Sequence, residues 1–146
     1  MFAPAGMSST TLAGTPTVLG YSAYRIGQLA DPPDLGDFWA SGGVVSTAQD
    51  VDRFYTKLFS GGLLPVRFVR EMEKPTGTSP FGSGDYGLGP WIGTLSCGSV
   101  IGHGGSIRGF NVVAWATPDH NRAVVAMVNS DNNSMANNLA DKTLCD

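Results

Sequence analysis

The sequence predicts an α+β fold in which helices flank an antiparallel β-sheet. Two patterns lead to this prediction: residues 46–74 have the apolar spacing of helices, and residues 86–129 have short apolar runs separated by turns. The composition agrees, because 20 glycines and 42% hydrophobic residues favour sheets and tight turns. A chain of 146 residues can form one domain, or part of a larger one, with a modest core.

The first 38 residues are rich in Ser, Thr, Gly and Pro and have no sustained periodicity. We expect an ordered but irregular segment here, with a rigid turn at residues 31–34 (Asp-Pro-Pro-Asp), because proline fixes φ. Residues 1–6 lack the basic region and apolar run of a signal peptide. No apolar run in the chain reaches the roughly 18 residues that a membrane span needs.

A pair of helices is predicted over residues 46–74. Residues 46–49 (Ser-Thr-Ala-Gln) have the form of a capping box, with Ser46 as the N-cap and Gln49 three residues later. One face of the first helix then carries its apolar residues, namely Val51, Phe54, Tyr55, Leu58 and Phe59. Two glycines at residues 61–62 end this helix. The second helix is expected to begin at Pro65 and to direct three side chains inward: Val66, Val69 and Met72.

Strands are predicted beyond a Gly/Pro/Ser loop at residues 75–85. Their ranges are 86–95, 99–103, 110–117 and 123–128, and a turn at residues 117–121 joins the last two in a hairpin. Both arms of the hairpin are apolar at consecutive positions, which indicates that both faces of the sheet are covered. A C-terminal helix over residues 133–144 should have an inner stripe of Met135, Leu139 and Ala140. These helices are too few to cover such a sheet, so an incomplete layer structure is expected.

Charge and histidine content exclude several functions. The formal net charge is −3 and no basic stripe exists, so nucleic-acid binding is not expected. The chain has two histidines, and neither has Cys, Asp or Glu at ligand spacing, so we predict no metal site. No cofactor is predicted either. His120 lies in the predicted hairpin turn and is expected to be solvated.

The candidate site is the segment Gly-His-Gly-Gly-Ser-Ile-Arg-Gly-Phe at residues 102–110. Its glycines would leave the backbone open for a ligand to pair with strand amides. The imidazole of His103 could exchange protons near neutral pH. Taken alone, the segment also fits a glycine-rich hairpin with an incidental histidine, and that interpretation is the commoner one for such a pattern.

Cys97 and Cys145 are the two cysteines of the chain. Cys97 lies in a turn and Cys145 is the penultimate residue, so a bridge would hold the C-terminus against a strand end. In the chain-entropy description, such a bridge contributes about 4 kcal/mol. Two buried reduced thiols are the alternative, and the residues alone leave both open.

Four segments, in this order, resemble the C-terminal half of the serine β-lactamase-like hydrolases. Residues 4–10 (PAGMSST) are similar to the family's P-L-G-M-x-x-T, and residues 40–50 (ASGGVVSTAQD) to its A-G-G-x-x-S-T-x-x-D. Residues 86–89 (YGLG) match its Y-G-L-G strand, and residues 102–110 match its third catalytic motif, G-H-x-G-x-x-x-G-F/Y. The family includes D-alanyl-D-alanine carboxypeptidases, class C β-lactamases and esterases. The resemblance covers nearly the whole chain.

This resemblance implies a partial β-lactamase/transpeptidase-like fold, of which residues 1–146 form the C-terminal portion. Residues 95–98 (LSCG) and the terminal Cys145 further resemble secreted actinobacterial D-alanyl-D-alanine carboxypeptidases, in which such cysteines are bridged. A Cys97–Cys145 disulfide and a secreted or extracytoplasmic location are therefore implied.

The chemistry that the resemblance implies is acyl transfer through a serine ester, with the serine in an S-x-x-K motif and a tyrosine in Y-x-N. By position, His103 replaces the lysine of other members and would support proton transfer and substrate binding. Gly104 and Gly105 would let the acyl chain lie along the strand. The backbone N–H of Ser106 would be one donor of the oxyanion hole.

The sequence departs from the family in several places. No serine is followed three residues later by lysine, and residues 21–23 (Tyr-Ser-Ala) lack the amide of Y-x-N. The chain is therefore expected to begin downstream of both motifs and to need the missing N-terminal part of the domain. Pro90-Trp91 stands where carboxypeptidases place an arginine, and Gly104 replaces the usual Ser or Thr, as in esterase-like relatives. Arg108 could supply positive charge to the substrate, or it is a solvated surface residue.

Three functions follow as hypotheses. The first is one wall of a serine acyl hydrolase acting on a muropeptide, a β-lactam or an ester. The second is a catalytically inactive remnant or peptide-binding module of the same fold. A self-contained enzyme using Ser106 and His103 is disfavoured, because residues three apart on a strand face opposite sides and no orienting carboxylate is evident.

Overall fold

The computed structural model describes residues 2–22, 28–30, 34–79 and 84–146. Helix α1 (Phe2–Ala5) and strand β1 (Thr11–Leu12) come first, followed by α2 (Leu35–Gly42) and β2 (Val44–Val45). Strands β1 and β2 pair antiparallel. The segment predicted to be irregular thus contains short regular elements. The turn predicted at residues 31–34 lies, apart from Asp34, outside the described residues.

The two predicted helices are α3 (Ala48–Phe59) and α4 (Val66–Met72). The expected cap is displaced by one residue. Thr47 is the N-cap, and its hydroxyl accepts a hydrogen bond from the backbone N–H of Asp50 at 3.2 Å. Ser46 is not the cap because its hydroxyl lies 2.7 Å from the hydroxyl of Thr10. In α4, Val69 is buried as predicted, but Val66 is 42% exposed, because the first turn of this helix faces outward.

The main sheet consists, within the described ranges, of β3 (Gly77–Thr78), β4 (Asp85–Tyr86), β5 (Trp91–Leu95), β6 (Gly98–Ile107), β7 (Phe110–Ala116) and β8 (Ala123–Val128). The strands lie side by side in chain order, and each pairs antiparallel with the next. The predicted α+β class with an antiparallel sheet is confirmed, as is the hairpin of β7 and β8.

Three predicted boundaries in this sheet are wrong. The strand expected at residues 99–103 continues to Ile107. The loop expected at residues 75–85 contains β3 and the start of β4, and the strand expected at residues 86–95 is interrupted at residues 87–90. The interruption has a physical cause, because the N–H of Leu88 donates to the carbonyl of Met72 at the end of α4. Gly87 approaches the same carbonyl so closely that a Cβ would lie 2.0 Å from it. Helix α4 thus competes with the strand for this stretch of backbone.

The core lies between the sheet and the C-terminal helix α5 (Asn133–Cys145). The predicted inner stripe of this helix is wrong at two positions, because Met135 is 46% and Leu139 is 47% exposed. The buried stripe is instead Ala136, Ala140 and Leu144, at i, i+4 spacing. The indole N–H of Trp115 donates to Oδ1 of Asn137 at 3.1 Å, which fixes this rotation of the helix.

A disulfide joins Cys97 and Cys145, as the resemblance implied. The bond ties the last turn of α5 to the β5–β6 turn. A second contact accompanies it, because the backbone N–H of Ser96 donates to Oδ1 of Asp141 at 2.6 Å. The C-terminus is therefore held against the end of the β5–β6 hairpin.

The expectation that both faces of the β7–β8 hairpin are covered holds for β7 and fails in part for β8. Residues 113–116 of β7 are all buried. Strand β8 is the last strand of the sheet, and Ala123 and Met127 on it are exposed. None of the described helices combines the length and the apolar character that crossing a bilayer would require.

Candidate active site

The segment around His103 lies where strand β6 extends beyond its pairing with β5. The pairing of β5 with β6 ends at Trp91 opposite Gly102, whereas the pairing with β7 continues to Ile107 opposite Phe110. His103 is thus the first residue of β6 beyond the ladder with β5. We call residues 103–107 the β6 overhang. One side of this overhang continues the sheet, and the other lies past the end of β5.

The glycines around His103 differ in how closely neighbouring atoms approach the position that a Cβ would occupy. A Cβ on Gly102 would lie 1.9 Å from the carbonyl oxygen of Ala114, so only glycine fits there. On Gly104 the nearest atom, the carbonyl oxygen of Val112, would be 3.3 Å away. On Gly105 it would be a methyl group of Val112 at 3.1 Å. Close packing of β6 on β7 requires glycine at position 102. Gly104 and Gly105 leave two positions of the overhang without side chains.

The imidazole of His103 is half-buried and contacts protein atoms through both ring nitrogens. Nε2 lies 2.6 Å from the phenol oxygen of Tyr86, and Nδ1 lies 2.5 Å from the carbonyl oxygen of Gly104. The two rings meet edge to face, with centroids 5.7 Å apart and an interplanar angle of 89°. The ring is therefore oriented by the fold rather than by solvent.

The position of Tyr86 follows from strand register. Tyr86 pairs with Trp91 across β4 and β5, and Trp91 pairs with Gly102 across β5 and β6. The three residues form one row across the sheet, at the end of β5. A side chain from β4 can therefore pass the end of β5 and reach His103. The Y-G-L-G resemblance singled out Tyr86, but sequence reasoning missed this contact.

Helix α3 brings a second phenol towards Tyr86. Burial raises the pKa of Tyr55 to about 12, and the neighbouring Tyr86 adds to the shift. The hydroxyl of Tyr55 is therefore neutral throughout the physiological pH range. It adds no negative charge to the surroundings of Tyr86.

The remaining predicted site residues lie along the overhang and its turn. Ser106 is exposed on the overhang, and Arg108 is exposed in the two-residue turn that leads into β7. Gly109 has φ 81° in this turn and contacts the N-terminal segment. A Cβ on Gly20 would lie 2.7 Å from the carbonyl oxygen of Gly109, so the two glycines permit a close backbone approach. The N-terminal segment thereby supports the end of the overhang.

The second histidine is not solvated, contrary to the prediction. The ring of His120 stacks on Phe59, with centroids 4.1 Å apart and planes 6° apart, and its Nε2 lies 2.7 Å from Oε1 of Glu73. Its φ is 59°, a left-handed conformation that non-glycine residues seldom adopt. These residues line a cleft of about 650 Å³ between α3, α4 and the β7–β8 turn, and none of residues 102–110 lines it.

No metal centre is evident in the described part of the chain, because it contains no cluster of three or more His, Cys, Asp and Glu side chains. The overhang presents an oriented imidazole, the phenol of Tyr86 and strand amides. Such a set can move protons and bind an acyl group along a strand.

Comparison with known families decides the relationship. The model of the beta-lactamase family matches residues 1–144. The chain belongs to the beta-lactamase family.

Several solved structures are similar to this beta-lactamase family chain. The D-stereospecific amidohydrolase from Streptomyces sp. is 32% identical, with a TM-score of 0.74 over 90% of this chain and 42% of that one. The D-amino acid amidase from Ochrobactrum anthropi SV3, solved with L-phenylalanine amide, is 26% identical, with a TM-score of 0.73 over 89% and 42%. The penicillin-binding protein from Bacillus halodurans shares the fold at 21% identity, with a TM-score of 0.75 over 97% and 46%. The chain spans less than half the length of each.

Proposed function

We propose that residues 1–146 form one wall of the active site of a serine acyl hydrolase whose nucleophilic serine lies outside them. The observation that carries this proposal is the position of His103, oriented by Tyr86 and Gly104 on a strand that continues past the end of β5. Family membership supports it. The lack of an S-x-x-K sequence in the chain, and its coverage of half or less of the similar structures, support a nucleophile supplied from elsewhere.

The reaction proposed is acyl transfer in two steps. The serine attacks a carbonyl to form an acyl ester, and water then releases the acid. His103 assists proton transfer and holds the substrate, while Gly104 and Gly105 let the acyl chain lie along the strand. The backbone N–H of Ser106 is proposed as one oxyanion donor, and loss of one such donor typically costs about 10²–10³ in rate. Arg108 is proposed to face an anionic part of the substrate.

The substrate class proposed is an amide or peptide with a D-configured residue. Two similar structures above 25% identity are named as a D-stereospecific amidohydrolase and a D-amino acid amidase. Pro90 and Trp91 stand where carboxypeptidases of the family carry arginine, which favours an amide without a terminal carboxylate. A D-alanyl-D-alanine carboxypeptidase acting on muropeptides is the second candidate, favoured by the Cys97–Cys145 disulfide. That disulfide also supports an extracytoplasmic location.

The first test reads the coding sequence upstream of Met1. An in-frame S-x-x-K followed by Y-x-N is the result expected. A stop codon directly upstream would contradict the proposal and favour the inactive remnant or peptide-binding module.

The second test measures hydrolysis by the protein as encoded, with D- and L-phenylalanine amide, a chromogenic ester and a chromogenic cephalosporin as substrates. We expect the D-amide to be preferred, and we expect His103→Ala to lower kcat/KM by about 100-fold or more, as for loss of a general acid-base group. Lys142→Ala, on the exposed side of α5, is the matched control and should leave kcat/KM unchanged. Absence of hydrolysis of all four substrates would contradict the proposal.

A further inference from the structure

We infer that Tyr86 is a positioning residue, which fixes the tautomer and the ring orientation of His103; this inference rests on the proposed function of the same site. Nothing in the motif resemblance assigns Tyr86 a role. The contact that suggests one is the 2.6 Å separation between its phenol oxygen and Nε2 of His103.

The tautomer of His103 follows from its other nitrogen. Nδ1 lies 2.5 Å from the carbonyl oxygen of Gly104, and a carbonyl oxygen can only accept a hydrogen bond. Two lone pairs would repel each other at this distance, so Nδ1 carries the hydrogen and donates it. In the neutral ring, Nε2 is then the acceptor, and the hydroxyl of Tyr86 donates to it.

Tyrosine suits this position because its hydroxyl can both donate and accept. When Nε2 takes up a proton from solvent or from the substrate, the hydroxyl hydrogen of Tyr86 rotates away, and Nε2–H donates to the phenol oxygen. The contact therefore persists in both charge states of the imidazole without movement of either ring. A constant ring geometry suits a general acid-base group, which must stay within hydrogen-bond reach of the proton that it transfers.

The backbone that carries Tyr86 is itself held in place. Its carbonyl oxygen accepts hydrogen bonds from the backbone N–H of Thr76 at 2.8 Å and from the hydroxyl of Thr76 at 2.9 Å. The next residue, Gly87, packs against the end of α4. Tyr86 thus transmits the position of β4 and α4 to the imidazole on β6.

The test uses the protein as encoded, labelled with ¹⁵N-histidine, and compares wild type with Tyr86→Phe. Spectra are recorded at about pH 9, where an ordinary imidazole is neutral. His120→Asn assigns the signals, because the chain numbered here has two histidines. We expect His103 to carry its hydrogen on Nδ1, and we expect Tyr86→Phe to move the Nε2 resonance towards that of a nitrogen without a hydrogen bond. Tyr55→Phe removes a neighbouring buried phenol hydroxyl and should leave the His103 signals unchanged.

Kinetics provide the second readout. Tyr86→Phe should lower kcat for the best amide substrate about 10- to 100-fold, since a misplaced catalytic group costs rate, and should leave KM within about threefold. If Tyr86→Phe does not fold, 3-fluorotyrosine at position 86 replaces it. This variant and wild type are then compared at about pH 7.5, where an ordinary imidazole is still mostly neutral and the more acidic phenol keeps its hydrogen. As a stronger donor, it should shift the Nε2 resonance in the opposite direction.

The inference would be overturned if His103 in the wild type carried its hydrogen on Nε2, or if the His103 signals were the same in wild type and Tyr86→Phe. It would also be overturned by a Tyr86→Phe enzyme with unchanged kcat. The spectra can be recorded whether or not the protein is active. If the proposed function fails but this inference holds, the wild-type protein will be inactive and His103 will still have the expected tautomer.

Discussion

Thr10 and Asp50 are 40 residues apart in the sequence, and the hydroxyl of Thr10 donates to Oδ2 of Asp50 at 2.8 Å. The same carboxylate accepts from the backbone N–H of Ser9 at 2.7 Å and from Arg53 at 2.6 Å. Burial raises the pKa of Asp50, but the hydrogen bonds from Thr10, Ser9 and Arg53 outweigh it, so its pKa lies below the ordinary value. An ionised Asp50 thus joins the N-terminal segment to α3.

The first prediction concerns acid stability. Because the folded-state pKa of Asp50 lies below its unfolded value of 3.8, its ionised form contributes stability that is present above that value and is lost as pH falls through the folded-state pKa. Asp50→Asn should therefore lower the melting temperature at pH 7 and flatten its fall in acid. Melting curves between about pH 2 and 7 measure this. Parallel pH profiles for the variant and wild type would contradict the assignment.

The second prediction separates two glycines of the candidate site. Gly102→Ala places a methyl group against the carbonyl of Ala114 and should reduce the free energy of unfolding by about 1–3 kcal/mol or more, as overpacked sites do. Gly104→Ala meets its nearest neighbour at 3.3 Å and should cost about 1 kcal/mol or less. Urea denaturation of the two variants is the measurement. Equal losses would show that the close packing of β6 on β7 is not specific to Gly102.

The third prediction concerns the disulfide. The Cys97–Cys145 bridge spans 48 residues, and replacing both cysteines by serine should cost about 4 kcal/mol by the loss of chain constraint. The double variant should unfold identically with and without reductant, whereas wild type should lose stability on reduction. A double variant as stable as the oxidised wild type would contradict the expected contribution.

The fourth prediction concerns the second histidine. His120→Asn keeps a residue that tolerates positive φ but loses the stacking on Phe59 and the contact with Glu73, so we expect a loss of about 1 kcal/mol. Arg122→Ala, exposed in the same turn, is the control and should change stability little. Thermal melts at pH 7 compare the two. Equal stabilities would mean that the His120 contacts contribute nothing.

Local patterns predicted those elements that local interactions determine. Helix α3 carries its own cap and apolar face, and the β7–β8 hairpin carries its own turn at residues 117–121. The pairing of Cys97 with Cys145 was implied by the family resemblance. For the helix and the hairpin, the sequence contains both the element and its boundary signal, although the cap of α3 is Thr47 and not the expected Ser46.

Contacts between elements that are far apart in the sequence were not predicted. The rotation of α5 depends on the bond between Trp115 and Asn137, which selects buried alanines over the larger Met135 and Leu139. The burial of His120 comes from its contacts with Phe59 and Glu73, which lie far from the turn in the sequence. At the candidate site, His103 and its strand were predicted, but the contact with Tyr86 requires the registers of β4, β5 and β6 together.

The most direct test of the central proposal is the site of acylation. The protein as encoded is incubated with a fluorescent penicillin or an activated D-phenylalanine ester, digested, and mapped by mass spectrometry. We expect one labelled serine, within an S-x-x-K sequence outside residues 1–146, and we expect its labelling rate to fall when His103 is replaced by alanine. A stable acyl group on any serine of residues 1–146, Ser106 included, would contradict the account.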